Sequence, residues 1–161
     1  MRGRVGRLLI AVLFAGIASP ACRPPSLDLP AVAQDDPVVA EARAFMDAYA
    51  RDLLAGDRAA IAARYDRTGA WLVREGEKSF VAYDAIVSRY ARPAWSPPAS
   101  FEWRDLSYET AGVDAVVVIG SFIWVPSAGA NPIAVSYTAL LERQDGELRI
   151  RVEDEKRIPT R

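Results

Sequence analysis

A tyrosine on an apolar helix face and an aspartate on an apolar strand face are the side chains of this sequence best placed for chemistry. Val38, Ala42, Phe45, Met46, Tyr49 and Leu53 recur at helical spacing, so Tyr49 either packs as plain core or presents its hydroxyl to the interior. Leu148, Ile150, Val152 and Asp154 share one face of a strand by period two. Asp154 therefore either continues that face as a pocket carboxylate or has already reached solvent. Arg149, Arg151, Glu153 and Glu155 fall on the opposite face and read as a solvated stripe, from which no site is built. A tyrosine hydroxyl and a carboxylate converging on one cavity could donate and accept protons.

Aromatic residues supply the walls of such a cavity. Trp71, Tyr90, Trp95, Trp103, Tyr108, Phe122, Trp124 and Tyr137 either fill a core or line a pocket for a small apolar molecule. The segment YARPAWSPPAS, residues 90 to 100, is stiffened by proline, and its Trp95 has no periodic face to join. It is the natural mouth. Other chemistry is absent from the sequence. There is no histidine, which removes the usual general base near neutral pH and the commonest metal ligand. Nucleophile elbow, phosphate loop, dinucleotide glycine pattern and metalloprotease helix are missing, and a single cysteine excludes a paired-thiol motif. No metal and no cofactor is expected. The formal charge is −1 with no long basic run, so nucleic acid is not an expected partner.

The elements that must position these side chains follow a simple order. A long helix begins after Asp36 and stops at Gly56, and Asp57 can cap a second helix carrying Ile61 and Tyr65. AWLVRE then forms a short strand turned by Gly76, and a third helix carries Tyr83, Ile86, Val87 and Tyr90. Beyond Pro93, Pro97 and Pro98 come four strand-like runs, SFEWRDLSYET, DAVVVIGSFIWV, IAVSYTALLER and ELRIRVEDEKR, parted by turn signals at Gly112, Ser127 to Pro132 and Gly146. Helices first and a strand meander later predict an α+β domain, residues 37 to 158, with the helices packed in the concave face of a strongly curved antiparallel sheet.

This order, with AYARDLLAGDRAAIAARYD at the first helix junction and RQDGELRIRVEDEKR at the end, resembles the nuclear transport factor 2-like cone in its SnoaL-like branch. The resemblance implies a role for Tyr49. In ketosteroid isomerases of this fold a tyrosine seven residues before the corresponding glycine donates to the developing oxyanion, and Tyr49 stands seven before Gly56. The matching aspartate base is missing, because Trp71 to Arg74 offer valine and arginine at that place. The second oxyanion donor of those enzymes falls near Thr138, which could give a weaker hydrogen bond. Leu148 stands where relatives often carry tryptophan, and the paired aspartates of the fold's epoxide hydrolases have no clear counterpart. A binding or accessory module with a pocket of Tyr49, Trp71, Tyr90, Trp95, Trp124, Thr138 and Asp154 is the resulting expectation. An isomerase or cyclase, and a homodimer joined through the sheet, are the alternatives.

The N-terminus reads as an address. Arg2, Arg4 and Arg7 precede the apolar run Leu8 to Ala18, too short for a comfortable membrane span, and SPAC ends in Cys22. Residues 1 to 21 are thus an expected bacterial signal peptide, with Cys22 as a lipidated mature N-terminus. Ordinary cleavage, before Cys22 or after Ala33, is the competing reading. Either way the protein is expected in the cell envelope, lipid-anchored or periplasmic. Removing residues 1 to 21 takes away three arginines and no acids, leaving 17 basic against 21 acidic residues, a net of −4. Residues 22 to 36, rich in proline, form an expected tether.

Overall fold

The computed structural model describes residues 36–159; the expected signal segment, Cys22 and all of the tether but Asp36 lie outside them. Helix α1 (Pro37–Ala55) starts where Asp36 caps the Val38 amide and proline occupies the first turn. It stops at Gly56, whose φ of 69° is the left-handed cap that a side chain disfavours. Its buried stripe comprises Val38, Val39, Ala42, Phe45, Met46, Tyr49 and Leu53. Asp57 caps the short helix α2 (Arg58–Ala63) through the Ala60 amide. Tyr65 lies just past that helix, in an isolated bridge to Ile150.

Strands β1 (Ala70–Arg74) and β2 (Glu77–Val81) form a tight hairpin, turned by Glu75 and Gly76 at positive φ. Helix α3 (Tyr83–Ala91) follows, and then the long strands β3 (Ser100–Thr110), β4 (Ala115–Val125), β5 (Ile133–Gln144) and β6 (Glu147–Arg157). The sheet order is β2-β1-β6-β5-β4-β3. Every neighbouring pair is antiparallel except β1 with β6, which run parallel. Helix α1 lies across the sheet, packing chiefly on β3.

Two irregularities shape the sheet. In β3 the pairing with β4 shifts between Arg104 and Ser107, and Gly120 lies opposite, where a Cβ would sit 2.9 Å from the Arg104 carbonyl oxygen. In β6 the partners of adjacent Leu140 and Leu141 are Val152 and Ile150, leaving Arg151 as an extra, unpaired residue. Such a bulge bends the strand and shifts its alternation by one. The shift corrects the expected face of β6. Leu148 and Ile150 point inward as anticipated, but beyond the bulge Glu153 is fully buried and Asp154 exposed.

Candidate functional site

A half-open cavity of about 400 Å³ lies between α1, α3 and the inner faces of the long strands. Its walls are aromatic. Phe101, Trp103, Phe122 and Trp124 come from β3 and β4, Tyr49 and Leu53 from α1, and Tyr90 and Trp95 from α3 and the segment after it. Alternation puts Phe101 and Trp103 on one face of β3, and Phe122 and Trp124 on the matching face of β4. Phe101 meets Trp103 edge-on at 4.7 Å and stacks on Phe122 at 5.0 Å. The Trp103 indole N–H donates to the Met46 carbonyl at 3.0 Å, which fixes that ring against α1.

The mouth is held by local contacts. Trp95 meets Tyr90 edge-on, and its carbonyl accepts from Arg58 at 2.9 Å. Pro97 packs so closely on Gly56 that a Cβ there would lie 3.2 Å from its ring. Arg74, Arg89, Glu155 and Arg157 supply the charged part of the lining.

Beneath the cavity lies a buried polar cluster centred on Glu153. Its carboxylate receives Arg74 Nη2 at 2.6 Å, Tyr65 at 2.9 Å, Tyr137 at 3.2 Å and Tyr49 at 3.4 Å. Four donors on two oxygens explain how a side chain with no exposed surface can be a carboxylate. Burial first, and then the charge of Glu153, raise the hydroxyls of Tyr49, Tyr65 and Tyr137 well above the usual tyrosine range, so each stays protonated. Burial opposes the charge of Arg74, but Glu153 and Glu155 outweigh it. Glu155, 3.1 Å from Arg74, faces the cavity. Burial and then Glu153 push its carboxyl up to about 7.

The cluster answers the question posed by Tyr49. Its ring lines the cavity, while its hydroxyl lies 3.0 Å from that of Tyr65 and 3.4 Å from Glu153. A phenol has one proton to give. Tyr65 spends its own on Glu153, so that of Tyr49 is drawn into the cluster and away from any ligand. The ring thus forms part of the cavity wall while the hydroxyl is engaged in the polar cluster.

Of the other residues expected to form a pocket, Tyr90, Trp95 and Trp124 are brought together around the cavity. Three are placed elsewhere. Trp71 is 42% exposed and packs on Phe80 outside the cavity. Thr138 and Asp154 are cross-strand partners, both exposed on the outer face. The alternation of β5, which turns Tyr137 and Ala139 inward, puts Thr138 outside, and the bulge in β6 carries Asp154 out beside it. Tyr108 is buried beneath Arg43, away from the cavity lining. Sequence reasoning missed Glu153, Glu155 and Arg74. Arg74 shares the inward face of β1 with buried Ala70 and Leu72, a period-two signal that was available. Nothing local marks the bulge that turns Glu153 inward.

No protein-family description matches this chain, and no curated protein is similar to it in sequence. Solved structures are similar in fold. A nuclear transport factor 2-like protein of unknown function from Shewanella oneidensis superposes with a TM-score of 0.62 at 13% identity, over 74% of this chain and 98% of that one. A cystatin-like fold protein from Burkholderia xenovorans gives 0.64 at 22% identity, over 80% and 96%. The hexachlorocyclohexane dehydrochlorinase LinA-type3 of Novosphingobium barchaimii gives 0.59 at 17% identity, over 76% and 87%. Helices cupped in a curved six-stranded sheet, in this order and over nearly the whole of these chains, are the nuclear transport factor 2-like fold.

Proposed function

We propose that this is a small-ligand-binding domain of the bacterial cell envelope, which takes an apolar molecule into the aromatic cavity. The observation that carries the reading is the cavity itself: half-open, about 400 Å³, and walled by rings from α1, α3, β3 and β4. Cavities of this size and lining suit small organic ligands. The likeness to a dehydrochlorinase named for hexachlorocyclohexane supports a small apolar occupant. A second reading, an enzyme of isomerase or lyase type, is favoured by Glu155, whose carboxyl faces the cavity with a pKa of about 7, suited to proton transfer near neutral pH. A homodimer through the outer sheet face belongs to the same proposal, supported by the exposure of Ile119 there.

Native mass spectrometry of the purified protein, followed by calorimetric titration with the recovered molecule, tests the main reading. Tyr49→Phe keeps the cavity wall and removes only a hydroxyl turned toward Glu153. It is expected to bind the ligand within about twofold of wild type while losing roughly 1 kcal/mol of stability. A protein that neither carries nor takes up any apolar molecule overturns the proposal. Recovery of the molecule chemically altered moves it to the enzyme.

Location forms part of the proposal and rests on Cys22 at the end of the apolar run. Wild type is expected to fractionate with membranes and Cys22→Ser to be released. Equal partitioning of the two would remove the lipid anchor.

A further inference from the structure

Resting on the ligand-binding reading above, we propose that the cavity selects an amphipathic anion, with an aromatic body held among Trp103, Phe122 and Trp124 and one carboxylate held by Arg89 and Arg157. The charge around the cavity is opposite to that of the domain. Residues 36 to 159 carry 15 basic and 19 acidic side chains, yet the lining holds three arginines and one glutamate. Arg74 is committed between Glu153 at 2.6 Å and Glu155 at 3.1 Å. Arg89 and Arg157 are different. Among the described residues neither guanidinium has an ion-pair partner. They come from separate elements, α3 and the end of β6, and both border the same aromatic space.

Two unpaired guanidinium groups beside apolar walls repel a cation. Rigid forks of N–H donors match a carboxylate through paired hydrogen bonds, and low-dielectric walls focus their field into the opening. Glu155 does not cancel this potential. It attracts Arg89 from beyond ion-pair distance, but Arg74 lies against it at 3.1 Å, and the partial protonation of Glu155 near neutral pH reduces its charge further.

The test is a set of three ligands with one ring system: naphthoate, naphthylmethanol and naphthylmethylammonium, titrated calorimetrically into the full-length chain at low salt. Naphthoate is expected to bind at least about tenfold more tightly than the alcohol, and the ammonium most weakly. In the double variant Arg89→Gln, Arg157→Gln that preference should collapse to within about threefold. Both positions are exposed, so the variant should fold, which its unfolding midpoint in urea would verify. An alcohol that binds as tightly as the carboxylate, or a preference that survives the double substitution, overturns the anion proposal and leaves the apolar pocket standing. Binding by none of the three overturns both.

Discussion

Glu153→Ala is expected to lower stability by about 3 to 5 kcal/mol, the loss seen when one partner of a buried ion pair is removed. Glu153 has no exposed surface and receives four donors. Its removal leaves Tyr137 without an acceptor, Tyr65 with only the hydroxyls of Tyr49 and Tyr90, and Arg74 with Glu155 as its one carboxylate partner. An unsatisfied buried donor costs about 1 to 3 kcal/mol by itself, so the stranded Tyr137 hydroxyl adds to the loss of the charge pair. Glu153→Gln keeps the shape and one oxygen acceptor and should lose less. Urea unfolding of the three proteins decides it. A loss below about 1 kcal/mol for the alanine variant would mean that water replaces the carboxylate and that the cluster is not a structural centre.

The second large effect lies about one turn from Tyr49 along the same buried stripe of α1. Phe45 is 8% exposed and packed in the core stripe, with the Arg64 guanidinium over its ring at 5.0 Å. Phe45→Ala should cost about 3 to 5 kcal/mol, from lost transfer energy and the cavity left behind. Met46 beside it is wholly buried, and its alanine variant belongs in the same range. Urea unfolding below about 1 kcal/mol for Phe45→Ala would show that the end of the stripe near Arg64 collapses onto the gap.

These two positions mark how far the sequence could be read. Phe45 was legible because its neighbours repeat at helical spacing, its helix is bounded by Asp36 and Gly56, and no distant residue alters that pattern. The strands from Ser100 onward were legible for the same reason, with alternation between clear turn residues. Glu153 was not legible. Its direction depends on the bulge at Arg151, and that bulge exists only in the pairing of β6 with β5. Reading period two through the bulge exchanges Glu153 for Asp154 and moves the predicted carboxylate from the interior to the outer face. Tyr49 was half legible: the helix face was evident, but the destination of its hydroxyl required a strand about a hundred residues away.

The parallel pairing of β1 with β6 places a constraint on synthesis. Trp71 to Arg74 find their second neighbour only at Val152 to Glu155, so that edge of the sheet waits for nearly the last residues of the domain. Glu153 arrives with the same strand. A nascent chain that ends before it has both early tyrosines and Arg74 but no acceptor to gather them, and β1 and β2 remain a lone hairpin, marginal in water. Contacts so distant in sequence form late and slowly. The polar cluster beside the cavity is therefore completed only once β6 has been made, and a truncation that removes β6 takes away the carboxylate that gathers it.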